Sequence, residues 1–175
     1  MPRKTRPPLL QEALGPEPPG PVEVRFTVPG RPVPKARPRF GTGGRVFTPA
    51  ATIAAERAVA SAAWQAWPRE AAFSARPVEI DATFRYAVPR SWPKHRRLQA
   101  LSGALAMTSG ADVDNLAKTV LDGLNGGPII DDAAVVALAG RKAWAAEDGT
   151  DVVVRILPVG ASPAFSADPE TGDNT

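Results

Sequence analysis

Between Asp112 and Asp132 the chain sets five carboxylates and one lysine in 21 residues, threaded through an apolar repeat that admits few folds. Leu116, Val120, Leu121 and Leu124 recur at helical spacing, which predicts a helix over Asn115 to Leu124 with one buried stripe. Asp114, Lys118 and Asp122 are four apart and stack on a different face. Asp112 and Asp114 then stand at the helix start. Asn125-Gly126-Gly127-Pro128 ends it, because glycine accepts the left-handed conformation and proline cannot continue the ladder. Asp131 and Asp132 follow closely enough to fold back beside the first pair. The pattern predicts a cluster of carboxylates with an ammonium at its edge.

Such a cluster requires a neutralising partner. Two carboxylates about 4 Å apart repel by roughly 1 kcal/mol in water and about 4 kcal/mol at an effective dielectric near 20. The chain has no cysteine and one histidine, so the donors are hard oxygens and suit Mg²⁺ or Mn²⁺ better than zinc. Mg²⁺ on carboxylates completes its shell with water and phosphate oxygens, the chemistry of phosphodiester hydrolysis. Lys118 is then a point charge for phosphate or for developing negative charge. Each feature alone has a plainer reading: an N-cap, a surface ion pair, a solvated turn. Their occurrence together, in this order, favours the metal site.

Composition narrows the class. A chain of 175 residues suits one domain with a real core, and its lack of cysteine excludes disulfides and thiolate chemistry. A reducing, cytoplasmic setting fits. No apolar run approaches a membrane span or a signal-peptide core. The net charge of +3 is unevenly placed: residues 1–100 carry 17 Lys/Arg against 7 Asp/Glu, and residues 101–175 carry 4 against 11. A basic half facing nucleic acid and an acidic half holding metal would look like this.

Residues 1–21 form a proline-rich basic arm, and residues 159–175 a polar tail; neither has the periodicity of a packed element. Val22 to Val28 alternates as a half-buried strand, and Val78 to Tyr86 does the same, with Asp81 on its polar, solvated side. The prolines from Pro29 to Pro38 hold Arg31, Lys35, Arg37 and Arg39 on a stiff, extended loop suited to a phosphate backbone. Gly41 to Gly44 is a turn without the lysine and hydroxyl of a nucleotide-binding loop, so no nucleotide cofactor is expected. Thr48-Pro49 predicts a helix to about Trp67, with Ile53, Val59, Ala60, Trp64 and Trp67 packed inward. Ser91-Trp92-Pro93 predicts a short helix through Leu101 whose Lys94, Arg96 and Arg97 form a second candidate face for DNA contact; His95 among them is surface. Ala134 to Trp144 reads as a strand, Glu147 to Thr150 as a hairpin turn, and Asp151 to Leu157 as its return. The class is α+β: about four strands in a sheet layered with two or three helices.

The segments Asp112-x-Asp114-Asn115-Leu116-x-Lys118, Leu121-Asp122-Gly123-Leu124-Asn125 and Asp131-Asp132-x-x-Val135-Val136 resemble the RusA family of Holliday-junction resolvases. So do Val28 to Phe40, Arg45 to Pro49, and Pro89 to Trp92 with Leu101 to Gly103, so the resemblance runs from Val22 to Leu157. It implies a mixed RusA-like sheet in a domain over 22–158, a homodimer, and Mg²⁺-dependent nicking of four-way DNA junctions. A two-fold symmetric junction needs two matched cuts, which a dimer supplies. By the same resemblance Asp112, Asp114 and Asp132 are metal ligands and Lys118 the phosphate contact. Asp131 stays second choice, because sequence alone does not say which of the adjacent pair points inward. Asn115 and Asp122 orient the cluster. One departure concerns DNA contacts and not ligands: members often carry a basic residue and proline before the first aspartate, where this chain has Ser109-Gly110-Ala111. The alternatives are a nuclease for other branched or linear DNA, a non-catalytic DNA-binding protein, and an acidic protein-interaction surface.

Overall fold

A computed structural model describes residues 20–40, 45–68 and 76–158. The expected arm and tail, apart from residues 20 and 21, and the Gly41 to Gly44 turn lie outside these residues.

Strand β1 (Val22–Pro29) buries Val24 and Phe26 and turns Glu23, Arg25 and Thr27 outward, as its alternation predicts. The short strands β2 (Arg39–Phe40) and β3 (Val46–Phe47) pair as a separate antiparallel ribbon. Helix α1 (Ala50–Ala66) follows, then β4 (Val78–Ala87), α2 (Lys94–Leu101), α3 (Val113–Leu124), a 3-10 turn (Asp132–Ala134), β5 (Val135–Ala145) and β6 (Gly149–Ile156). The main sheet runs β1-β6-β4-β5. Neighbours are antiparallel except β4 and β5, which are parallel, as a connection through two helices permits. The architecture is the expected α+β, with a four-stranded mixed sheet and three helices.

The expected hairpin does not form. Strand β4 lies between β5 and β6, so residues 146–148 arch over its end. Two strand spacings of roughly 4.8 Å separate β5 from β6, a gap that three extended residues close. The arch is fastened to β4: the Ala87 N–H donates to Asp148 Oδ1 at 2.8 Å, and the Val88 N–H to the Ala145 carbonyl at 3.0 Å. Packing decides the order. Val152, Val154 and Ile156 of β6 are at most 1% exposed and need neighbours on both sides, whereas Val136 and Leu138 of β5 are 45% and 43% exposed. Gly149 at the arch's end leaves room for the Arg85 guanidinium, which a Cβ there would displace.

Helices α1 and α3 cover one face of the sheet. The buried face of α1 is Thr52, Val59 and Ala63, ending in buried Trp67; Trp64 is 41% exposed rather than inward. Its first turn begins one residue later than expected, with the Pro49 carbonyl accepting from the Thr52 and Ile53 N–H groups. The opposite sheet face is a set of ion pairs: Glu23 with Arg25 and Arg155, Glu79 with Arg155, Asp151 with Arg85, and Asp81 with Arg141 at 3.0 Å. Asp81 is therefore half-buried and paired, not solvated. Buried Arg76 closes one end of the sheet, where β1 and β4 begin and β6 ends, by donating to the carbonyls of Leu157 and Gly20. Among the described residues no helix is long and apolar enough to cross a membrane.

The two covering helices touch at Gly123. A Cβ there would lie 2.7 Å from the Glu56 carbonyl and 2.7 Å from Val59 Cβ, so α1 and α3 can approach only because the side chain is absent. Gly123→Ala is expected to destabilise the fold by about 1–3 kcal/mol through overpacking, against the helix propensity that alanine adds. Urea unfolding checks this; equal or higher stability of the variant would show that the helices part freely.

Candidate metal centre and nucleic-acid interface

Helix α3 begins with Asp112 as N-cap, its backbone extended (φ −67°, ψ 139°) and its side chain making no capping bond. That carboxylate is exposed and uncommitted. Asp114, in the first turn, accepts from Lys118 Nζ at 3.2 Å, one turn on, and the same ammonium lies 3.5 Å from Asn115 Oδ1. The Lys118 ammonium beside Asp114 holds its carboxyl below the usual carboxylate range. Leu116, Ala117, Val120 and Leu124 fill the core on the other side, which fixes the helix and keeps the charged face outward.

The second acidic pair occupies the 3-10 turn, which packs against α3. Asp131 caps that turn, accepting from the Ala133 N–H at 2.9 Å. This bond, followed by one from Asp132, lowers its carboxyl, while the hydrogen bond to Asp131 raises that of Asp132. Asp131 caps the turn, and Asp132 is tied chiefly to Asp131, so the two carboxyls act as one hydrogen-bonded pair. Among the described residues no three acidic or imidazole side chains converge into a ready ligand group. The expected single cluster is therefore not formed among the described residues, where Lys118 engages Asp114 and the turn engages Asp131.

Asp122 does not join them. It pairs with Lys35 Nζ at 2.7 Å, and the same ammonium donates to Glu56 Oε1 at 2.6 Å. Lys35 is thereby a structural cation, turned inward from the basic loop rather than offered to DNA. Its backbone N–H donates to the Asn115 carbonyl at 2.8 Å, which fastens that loop beside Asp114. Arg31 and Arg37 remain exposed on the loop, Arg31 with its guanidinium 5.4 Å from the Tyr86 ring centre. The Arg39 side chain lies outside the described residues.

Helix α2 presents Lys94, His95, Arg96 and Arg97 to solvent. Its N-cap is Pro93, the last residue of the Ser91-Trp92-Pro93 segment expected to start it. Arg96 lies over Trp92 at 4.0 Å, and Trp92 meets Trp144 of β5 edge-on at 4.9 Å. The basic helix is anchored by this stack at the end of β5. Lys142, two residues earlier, donates to the Ser109 and Ala111 carbonyls at 3.0 and 3.1 Å, in the loop that delivers Asp112. Sequence reading missed Lys142; its signal was a lone cation in register with Phe84 on the helix-covered side of a strand. An apolar cavity of about 170 Å³ beneath the basic loop, lined by Val28, Ala55, Val59, Phe84 and Leu116 among others, contains none of these carboxylates.

Carboxylates at the start of one helix, an ammonium one turn along, a second pair in the following turn and two basic elements tied alongside suit a phosphodiester substrate. Over residues 29–156 the sequence matches the family described as endodeoxyribonuclease RusA. The chain belongs to the RusA family. It is also 34% identical over 137 residues to "Uncharacterized protein YqaN" of Bacillus subtilis (strain 168), an alignment covering 75% of this chain and 95% of YqaN. RusA-family proteins are endodeoxyribonucleases acting on branched DNA junctions and generally depend on a divalent metal.

The Lys35 ion pairs hold the RusA-type basic loop to both helices, and they raise the Lys35 pKa, Asp122 most and Glu56 next. A raised lysine stabilises fully below its unfolded value near about 10.4 and loses that contribution as pH climbs through the folded value. Lys35→Met is expected to cost about 1 kcal/mol at pH 8, a modest figure because the three side chains are partly solvated. The gap between wild type and variant should narrow above pH 10.5 in urea titrations. A gap constant across that range would remove the ion pairs as its cause.

Proposed function

We propose that this RusA-family chain is a Mg²⁺-dependent endonuclease that resolves four-way DNA junctions as a homodimer, with Mn²⁺ able to substitute. The observation that carries this reading is the exposed Asp112-x-Asp114 pair at the start of α3, with Lys118 on the same face. The donor set fits a hard divalent cation: carboxylate oxygens only, exposed, with Asp112 free of a capping bond and Asp132 beside Asp131 in the following turn. Asp112, Asp114 and Asp132 would hold the ion, and Asp131 orients its neighbour. When bound, such an ion polarises the phosphoryl oxygen and makes a water nucleophilic at neutral pH.

The chain's own residues supply the rest. Lys118 restrains Asp114 and offers its remaining protons to a non-bridging phosphate oxygen, countering charge that develops as water adds to phosphorus. Arg31 and Arg37 on the loop, and Lys94, Arg96 and Arg97 on α2, neutralise flanking phosphates and align the strand. Hydrolysis breaks one phosphorus–oxygen bond and leaves a phosphate monoester and a sugar hydroxyl. Two copies on a two-fold symmetric junction give the paired cuts that resolution requires. Such a substrate places the protein in the cytoplasm.

The test is cleavage of a labelled synthetic four-way junction beside linear duplex and flap controls, with and without Mg²⁺. Asp114→Asn should retain junction binding in EDTA and lose roughly 10²–10³-fold or more in cleavage rate. Paired symmetric nicks confined to the junction support the resolvase. Equal cutting of all substrates would leave the nuclease and discard junction selectivity, and binding without cutting in Mg²⁺ or Mn²⁺ would end the enzyme reading. Separately, Arg96→Ala should reduce the magnitude of the log–log salt slope of junction binding by about 0.9, the release expected from one lost phosphate contact. An unchanged slope would remove α2 from the interface.

A further inference from the structure

Lys142 occupies a position where a lysine is unfavourable. Strand β5 pairs it with Phe84, which is 1% exposed, so its stem leaves the sheet on the side that α3 covers. The side chain is half-buried, and desolvating an ammonium is costly unless its protons find acceptors. Here the acceptors are two backbone carbonyls, Ser109 at 3.0 Å and Ala111 at 3.1 Å. They flank Gly110, whose φ of +82° is strained for any other residue and whose missing Cβ would meet Met107 Cε at 3.3 Å. Met107 and Tyr86 thus pack one side of this bend while Lys142 grips its carbonyls.

The residue after Ala111 is Asp112. Because the Asp112 side chain makes no capping bond, nothing on its own helix fixes its direction. The direction is inherited from the loop, and the loop is held by Lys142 from another element.

We propose that Lys142 is a positioning residue for the metal-binding carboxylate Asp112, acting through the Ser109–Ala111 segment that it clamps. This rests on the nuclease reading above. A neutral stem such as methionine preserves packing but releases both carbonyls, so the loop and Asp112 would sample more directions. A guanidinium at the same place can still donate to two carbonyls. Outer residues that orient a metal ligand typically change metal affinity or activity by about 10–100-fold when removed.

The experiment compares wild type, K142M, K142R and D114N on the full chain. It reads Mn²⁺ affinity by calorimetry without DNA, amide exchange of residues 109–112, and kcat and KM for junction cleavage. K142M is expected to raise the Mn²⁺ dissociation constant and lower kcat by about 10–100-fold. Exchange in the loop should accelerate while KM and junction affinity in EDTA stay within about twofold. K142R should recover most of both losses. Should K142M fail to fold, K142L replaces it, keeping an apolar stem without a donor. A truncation that merely lowers the melting temperature, with metal affinity and kcat intact, overturns the proposal. So does a K142R variant as impaired as the truncation. Wild-type chain that neither binds Mn²⁺ nor cuts would overturn the nuclease reading and this one together, whereas equal cutting by wild type and K142M overturns the Lys142 assignment alone.

Discussion

The crossing of α1 and α3 is the contact on which the remainder of the molecule depends. At its centre Gly123 lets the Glu56 carbonyl and Val59 approach to a distance no side chain permits. Directly beside it, Lys35 bridges Glu56 of α1 and Asp122 of α3. The apolar contact sets how near the helices lie, and the charged one brings the basic loop to that place. Neither ion pair contributes much net energy at this exposure, since attraction is offset by desolvation and entropy. Their consequence is positional: the loop cannot leave without stranding two carboxylates. The Lys35 N–H bond to Asn115 then adds a backbone tie one residue beyond Asp114.

This contact also sorts the cations. The first hundred residues carry a large excess of Lys and Arg, but structure removes several from service. Arg25 and Arg85 neutralise carboxylates on the open sheet face, as Arg141 and Arg155 from the later part of the chain also do, and Lys35 is paired with Glu56 and Asp122. The cations without a carboxylate partner among the described residues include Arg31 and Arg37 on the loop and Lys94, Arg96 and Arg97 on α2. One set is tied to α3 through Asn115 and the other to β5 through Trp92 and Trp144. The charge asymmetry of the sequence therefore becomes spatial only after these internal pairings are subtracted.

Much of the frame was legible beforehand because it is local. Alternation located β1 and β4, and the leucine–valine stripe located α3, since burying one face is the main requirement of each element. What escaped was non-local. Glu147 to Thr150 has the chemistry of a hairpin, yet the same residues arch over β4, because strand order is decided by which strand needs two neighbours. Trp64 fell outside the core because alanines made the phase of α1 ambiguous. Lys35 was indistinguishable in sequence from the arginines around it, and only the carboxylates brought opposite by two helices turn it inward. The carboxylates likewise met local partners, Lys118 for Asp114 and the Ala133 N–H for Asp131, that spacing alone does not weigh.

The strand order that defeated the hairpin reading also shapes the acidic site. With β6 inside the sheet, β5 becomes an edge, and β5 connects both halves of that site. It starts directly after the Asp131–Asp132 turn and, seven residues along, carries Lys142 to the loop before Asp112. At the rim, Val113, Ile130, Val136 and Leu138 stay partly exposed beside the carboxylates, and the cavity of about 170 Å³ lies elsewhere. A second cavity, of about 310 Å³ and lined by Met107, Lys142 and Trp144 among others, also includes none of these carboxylates. An exposed edge with cations on elements at either side suits a long, negatively charged ligand such as a nucleic-acid strand.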